Sequence, residues 1–212
     1  VLDPIDSFYI ADGHHRIGSV GEYAKKQKEK NKKHNGLEHY NYVYSFIVSN
    51  QSIKIHDYNR LLKDLNGLST EVFLEKLSED FLIHDKGEEP YIPSQKFHIS
   101  MYLDGKFYSL HVKHDIRLLE RESNDLDHFL LEKYIFDKLL KLDNEDLRAE
   151  KIVYSKGNSK VDGILKLKSK VDTGDYKVGF GIYPVSFQDL LKVSDKQIKM
   201  PPKCTYIEPK LV

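Results

Sequence analysis

The residues with the clearest chemical potential form one short stretch, Asp12-Gly13-His14-His15-Arg16. Residues 5–10 before it have the apolar, β-compatible character of a strand, and residues 17–33 after it have the spacing of a helix. Gly13 lies where the backbone must reverse, because glycine adopts positive φ without steric cost. We therefore predict a strand, a tight turn and a helix, with this stretch at the turn.

The start of that helix is a favourable place for an anion, because its first N–H groups lack helical partners and the helix dipole is positive there. His14, His15 and Arg16 would add up to three further donors. The stretch predicts a phosphate or carboxylate site, with Asp12 and the histidines available for proton transfer or metal contact. A structural interpretation stays open, in which Asp12 caps the helix, one histidine bonds locally and Arg16 pairs with a surface acid.

A second polar cluster follows a strand-like run at residues 53–55 and contains His56, Asp57, Asn59 and Arg60. It combines proton-active groups with a cation, and ligands in α/β sheets gather beyond the carboxyl ends of strands. The alternative is a loop with an Asx turn and a surface arginine. We predict His56 as a candidate for proton transfer and Arg60 as a candidate phosphate ligand.

The C-terminal tail offers a third set of groups. Lys203 and Thr205 supply an ammonium and a hydroxyl, a pair suited to phosphate oxygens. Cys204 lies between them. A nucleophilic cysteine needs a lowered pKa and a partner base, and the sequence shows neither.

Composition limits the function classes. The chain has 212 residues, 40% of them hydrophobic and 31% charged, as in ordinary globular proteins. Its 33 basic and 33 acidic residues cancel, which makes nucleic acid an unlikely partner. The single cysteine excludes an intrachain disulfide and predicts a reducing, cytoplasmic location. No apolar run approaches the length of a membrane span, so no membrane association is expected.

The remaining pattern predicts alternating helices and strands. Asp104-Gly105 is a strong hairpin turn signal, with strands on either side over residues 96–113. Other expected elements are a central strand at 42–49, helices at 70–81, 125–142 and 161–171, and a strand at 176–183. We predict one α/β (mixed α+β) domain over residues 1–212, with helices packed on a mixed sheet. Because the chain begins almost directly on a strand and without methionine, we expect it to be the C-terminal part of a longer protein.

Several separated stretches together resemble one family, number 1015 among the domains of unknown function. These stretches are Tyr9-Ile-Ala-Asp-Gly-His-His-Arg16, His-Asp-Tyr-Asn-Arg60, Asp172-Thr-Gly-Asp-Tyr176, Tyr183-Pro-Val-Ser186 and Met200-Pro-Pro-Lys-Cys-Thr-Tyr206. The resemblance runs in order along the whole chain. Family members usually carry serine where this chain has Cys204, which counts against a cysteine nucleophile. They are also about twice as long.

The Asp-Gly-His-His-Arg turn is also similar to the phosphate-binding turn of the ParB and sulfiredoxin-like superfamily, which includes free-serine kinases that use ADP or ATP. This resemblance implies that Gly13, His14, His15 and Arg16 hold nucleotide phosphates. It implies that Asp12 acts in catalysis or metal binding. The acid that activates serine in those kinases lies upstream of this turn, and this chain has no corresponding residue.

The leading hypothesis is a nucleotide-dependent phosphotransferase that acts on a small hydroxyl compound such as free serine. ADP or ATP with Mg²⁺ would be the cofactor, Arg16, Arg60 and Lys203 would hold phosphates, and Asp12, His14 or His56 would handle protons or the metal. The main alternative is a non-catalytic nucleotide or metabolite sensor with the same anion site. A nucleic-acid-associated protein and a hydrolase that uses Cys204 are weaker alternatives, and the oligomeric state stays open.

Overall fold

The computed structural model describes residues 4–56, 58–120, 125–157, 160–198 and 200–210. By its internal contacts the chain divides into two units. The first is Val1–Lys54 together with Ile207–Val212, and the second is Ile55–Tyr206. The single domain expected over residues 1–212 stays a prediction. Asp57, which belongs to the second polar cluster, lies outside the described residues.

The first unit contains one long helix, α1 (His14–Lys30), and two short 3₁₀ helices, His39–Asn41 and Asn50–Ser52. Helix α1 is preceded by Gly13 at φ 83°, so the predicted turn and helix are both confirmed. The helix ends at a lysine-rich last turn, whose positive charges suit the negative end of the helix dipole.

Two strands predicted in this unit are wrong. In the described part of the chain, residues 5–10 and 42–49 belong to no strand. A strand needs a hydrogen-bonded neighbour, and neither run belongs to either sheet. Their apolar side chains are exposed, with Phe8 at 56% and Tyr44 at 92%. The apolar, β-branched composition was therefore not sufficient to form a strand in this chain.

The second unit is built on a six-stranded sheet with the order β3-β5-β4-β7-β2-β6. Its strands are β2 (Tyr58–Leu62), β3 (Phe81–Gly87), β4 (His98–Leu103), β5 (Lys106–Val112), β6 (Ile152–Lys156) and β7 (Val178–Ile182). Two further short strands, β1 (Lys54–His56) and β8 (Tyr206–Glu208), form a two-stranded sheet.

The fold class is confirmed as mixed α and β, but the expectation of a mixed sheet is wrong. All five strand pairings described for the large sheet are antiparallel. The position of β2 explains the difference. Strands β6 and β7 run in the same direction and are joined through a helix, so they would form a parallel pair if they were neighbours. Strand β2 lies between them and pairs antiparallel with both.

Local signals account for the hairpin and for several helix ends. Asp104 and Gly105 both have positive φ, 48° and 81°, and join β4 to β5 as predicted. Helix α2 (Thr70–Leu77) begins where the Ser69 hydroxyl accepts from Val72 N–H. Helix α7 (Phe187–Asp195) begins at a capping box formed by Ser186 and Asp189.

The remaining helices are α3 (His114–Glu120), α4 (Asp127–Leu130), α5 (Glu145–Lys151) and α6 (Lys160–Asp172). The helix predicted over 125–142 is α4 followed directly by a π-helix, Leu131–Leu139. Such wide turns are rare and often occur at functional sites. None of the helices in the described part of the chain has the length and apolar character of a membrane span.

The sheet separates two cores. The larger core packs α2 and the π-helix against one face through residues such as Phe73, Ile99 and Phe136. The smaller core packs α6 against the other face through Ile164 and Leu167. Leu61 and Leu62 are adjacent in β2 and belong to opposite cores, as the twofold alternation of a strand requires.

Candidate functional site

The Asp12–Arg16 stretch lies at the N-terminus of α1, as the sequence predicts. Gly13 is the N-cap residue and offers no side-chain acceptor to the first turn, which also contains no acidic residue. The Gly13 N–H bonds to the Asp12 carboxylate, and the N-cap residue makes no side-chain bond to the N–H groups that follow, so the positive end of this 17-residue helix lies at the turn.

Gly13 has two reasons to be glycine. Its φ of 83° belongs to the left-handed region, which side chains with a Cβ rarely adopt. A Cβ built on Gly13 would also lie 3.0 Å from Arg16 Nη2 and 3.3 Å from its Cζ. The guanidinium group therefore lies directly against the turn, where it can share an anion with the helix N–H groups.

Asp12 is surrounded by positive groups. Its Oδ2 atom lies 3.1 Å from Lys210 Nζ and 4.0 Å from Arg16 Nη2. The hydrogen bond from Lys210 is the largest influence on the carboxyl group, and together with the Gly13 N–H and Arg16 it lowers the pKa of Asp12, despite an opposing effect of burial. Asp12 is therefore a stable anion at neutral pH, held beside the turn.

The other side chains of the turn are open to solvent. His14, His15 and Arg16 are all exposed, and the Arg16 side chain is 82% accessible. An anion could therefore reach these donors without displacing a packed element.

The remaining predicted site residues all lie in the second unit. His56 is half-buried, with its ring centroid 6.1 Å from that of Tyr206. Thr205 is half-buried and Lys203 is exposed, with the Lys203 ammonium 5.6 Å from the centre of the Tyr154 ring. Their predicted roles stay predictions.

Arg60 is completely buried rather than a surface cation. Its Nη1 atom donates to the Tyr58 carbonyl, its Nε lies 3.9 Å from Glu132 Oε1, and its guanidinium carbon lies 5.2 Å from the centre of the Tyr154 ring. Arg60 and Lys203 thus share one aromatic ring, so the structure brings these two predicted cations together. The contacts of Arg60 are those of a core residue, and its role as a phosphate ligand stays a prediction.

Cys204 lies beside this buried cluster. Its Sγ donates to the Pro201 carbonyl at 2.9 Å, and burial raises the pKa of the thiol to about 12 despite the nearby Arg60 guanidinium. A thiol with this pKa does not supply a thiolate at neutral pH, which argues against the nucleophile hypothesis on physical grounds.

One residue beside the turn was not predicted from the sequence. Lys210 stands in the C-terminal tail, and only its contact with Asp12 places it at the turn. The available signal was its position in the same tail as Lys203 and Thr205, but no sequence pattern connects that tail to residue 12.

Among the described residues, no group of three or more His, Cys, Asp or Glu side chains is arranged to hold a metal ion.

Comparison with known proteins gives a family and several distant structures. None of the curated proteins compared with the chain matches it. A conserved hypothetical protein from Pyrococcus furiosus is 14% identical, with a TM-score of 0.43 over 98% of this chain and 73% of that protein. A free serine kinase variant in complex with AMP is 13% identical, with a TM-score of 0.47 over 98% of this chain and 70% of that protein. The ADP complex of such a variant has a TM-score of 0.45. The family described as "Protein of unknown function (DUF1015)" matches residues 1–143, and the chain belongs to this family.

Proposed function

We propose that this protein binds the phosphates of a nucleotide at the N-terminus of α1 and transfers a phosphoryl group to a small hydroxyl compound such as free serine. The single observation that carries the proposal is the first turn of α1. It begins at a glycine with no side-chain cap, contains no acidic residue, and presents His14, His15 and Arg16 to solvent.

The phosphate contacts follow from that turn. Helix N–H groups and the Arg16 guanidinium would donate charge-assisted hydrogen bonds to phosphate oxygens, which are stronger than bonds between neutral groups. His14 and His15 would supply further donors from the same turn. The nucleotide itself comes into the proposal through the resemblance of the Asp-Gly-His-His-Arg turn to the free-serine kinases.

Asp12 suits a metal contact better than proton transfer. Because the pKa of Asp12 is lowered by Lys210, the Gly13 N–H and Arg16, its carboxylate is a weak base. Mg²⁺ is commonly held by one or two carboxylates together with substrate phosphates and water, and a single aspartate beside a phosphate site fits that chemistry. The cation would neutralise charge on the phosphates as the phosphoryl group is transferred.

His14 is then the candidate proton acceptor within the turn, since it immediately follows Gly13 and is exposed. Phosphoryl transfer depends mainly on positioning and charge neutralisation, so a modest base is sufficient to accept the proton of the hydroxyl group. His56 stays a second candidate for this role.

Calorimetry with ADP and with ATP, each with Mg²⁺, tests the binding step. We expect heat of binding for the protein and a loss of affinity of about 10-fold in Arg16→Met, the value of one charge-assisted contact. Lys28→Met in the last turn of α1 is the matched control and should bind as the original protein does. The absence of heat with both nucleotides would contradict the proposal.

The lowered pKa of Asp12 also favours the second candidate function, a nucleotide or metabolite sensor without turnover. Such a sensor needs the same anion site and no general base. Incubation of serine and Mg²⁺ with ATP or with ADP, each labelled in its terminal phosphate, separates the two functions. Labelled phosphoserine from either nucleotide supports the kinase, and binding without product from both over long incubation supports the sensor.

A further inference from the structure

Lys210, the last described residue, contacts the turn at the other end of the chain. Its ammonium donates to Asp12 Oδ2 at 3.1 Å across a sequence separation of 198 positions. Arg16 Nη2 lies 4.0 Å from the same oxygen. One carboxylate oxygen is thus shared between a cation from α1 and a cation from the C-terminal segment, which follows β8.

The charge of the turn depends on this second cation. Without Lys210, the charges of Asp12 and Arg16 would cancel, and the carboxylate would repel a phosphate that approached the first turn of α1. With Lys210, two cations face one carboxylate, and the surplus positive charge adds to the positive end of the helix dipole.

We infer that Lys210 is a positioning residue for Asp12: its ammonium holds the carboxylate beside the turn and offsets its charge, so that the turn can accept an oxyanion. This inference rests on the proposed function, because it concerns the same anion site. It adds the C-terminal segment to that site, and it gives Asp12 an orientation that Arg16 alone, at 4.0 Å, does not fix.

A purely structural ion pair would behave differently. The Lys210 and Asp12 side chains are 38% and 57% exposed, and exposed pairs of this kind contribute little to stability. Removal of the Lys210 charge should therefore leave the melting temperature almost unchanged. A lower affinity for phosphate at an unchanged melting temperature is then evidence for a role at the site.

The first measurement uses inorganic phosphate without metal as the probe. We expect phosphate to shift the amide signals of His14, His15 and Arg16 in NMR spectra, with an affinity about 10-fold lower in Lys210→Met and restored in Lys210→Arg. Lys28→Met removes one charge from the far end of α1 and should bind phosphate as the original protein does. Equal phosphate affinity in Lys210→Met and in the original protein would overturn the inference, whether or not a nucleotide binds.

The second measurement is calorimetry with ADP and Mg²⁺. We expect Lys210→Met to bind about 10-fold more weakly and Lys210→Arg to bind within about 3-fold of the original protein. Equal affinity of Lys210→Met and the original protein would overturn the role of Lys210 while the proposed function stands. If the original protein binds neither ADP nor, in the same experiment, ATP, the proposed function fails, and the inference fails with it.

Discussion

The imidazole rings of His98 and His111 stack face to face, with centroids 3.9 Å apart and 12° between their planes. They are direct partners on β4 and β5, and His84 on β3 brings a third ring to within 5.0 Å of His111. Tyr91 Oη lies 3.1 Å from His98 Nδ1, so the loop before β4 is tied to the same cluster. Three histidines this close cannot all carry charge without mutual repulsion.

This cluster predicts a pH-dependent stability. Burial is the main cause that lowers the pKa of His111 to about 4, and the charges of His98, His84, Arg117 and Lys86 add to it. An unfolded histidine titrates near 6.5, so the folded state favours the neutral ring. The stabilisation is present above pH 6.5 and is lost as the pH falls from about 6.5 towards 4.

Comparison of the original protein with His111→Gln isolates the effect. We expect the original protein to lose about 1–2 kcal/mol relative to His111→Gln between pH 7.5 and pH 5, measured by urea unfolding at both pH values. The buried Asp127, with its pKa raised to about 7, contributes more stability to the folded state as the pH falls. This contribution is the same in both proteins and cancels in the comparison. His114→Gln at the exposed start of α3 is the control. Parallel pH dependence of the original protein and His111→Gln would contradict the prediction.

The buried ion pair of Arg60 and Glu132 predicts a large loss of stability in Glu132→Gln. Glu132 also pairs with Arg148, and loss of the Glu132 charge would remove the carboxylate that faces the buried Arg60 guanidinium among the described residues. Breaking one side of a buried pair costs roughly 3–5 kcal/mol, so we expect a loss of this order in urea unfolding. Glu79→Gln, which removes an exposed partner 4.0 Å from Lys138, should cost less than about 0.5 kcal/mol. Equal effects of the two substitutions would show that burial does not matter here.

Close packing of α6 on β7 predicts that Gly179→Ala is destabilising. A Cβ at Gly179 would lie 2.4 Å from Leu167 Cδ2 and 2.5 Å from Leu167 Cγ, and Leu167 is fully buried. Overpacking of this kind costs about 1–3 kcal/mol, which thermal or urea unfolding would detect. Gly18→Ala in α1 meets nothing within 4 Å and should be neutral or stabilising by about 0.5–1 kcal/mol. A neutral Gly179→Ala would mean that α6 can move away from the sheet.

The environment of Cys204 predicts an unreactive thiol in the folded protein. With a pKa of about 12 and a buried side chain, Cys204 should react with a chromogenic disulfide reagent at least about 100-fold more slowly than in guanidinium chloride. Cys204→Ser should leave nucleotide binding unchanged. Rapid labelling of the folded protein would show that the tail around Cys204 opens readily.

Local signals in the sequence account for several elements. The Asp104-Gly105 turn, the Ser69 cap of α2 and the Ser186 cap of α7 each depend on residues only a few positions apart. The turn at Gly13 belongs to the same class, because positive φ and a following helix are properties of neighbouring residues. Such features are encoded within a few consecutive residues.

Features that depend on distant partners were decided only by the tertiary structure. Strand β3 was missed because it is an edge strand whose exposed His84, Asp85 and Lys86 obscure the apolar pattern. Gly179 and Gly181 allow a close approach of α6, because a Cβ at either position would meet Leu167 or Ile164, and only the tertiary structure identifies that partner. Strand pairing also requires a second segment. Strand β3 has β5 as its neighbour, whereas residues 5–10 and 42–49 have no partner strand among the described residues.

The candidate site divides in the same way. The sequence by itself determined that Asp12, Gly13 and Arg16 stand at a turn before a helix, because all of these are neighbours in the chain. Only the tertiary structure placed Lys210 against Asp12 and enclosed Arg60 in the core. Charge and burial depend on which distant segments meet, and no local pattern of residues specifies that meeting.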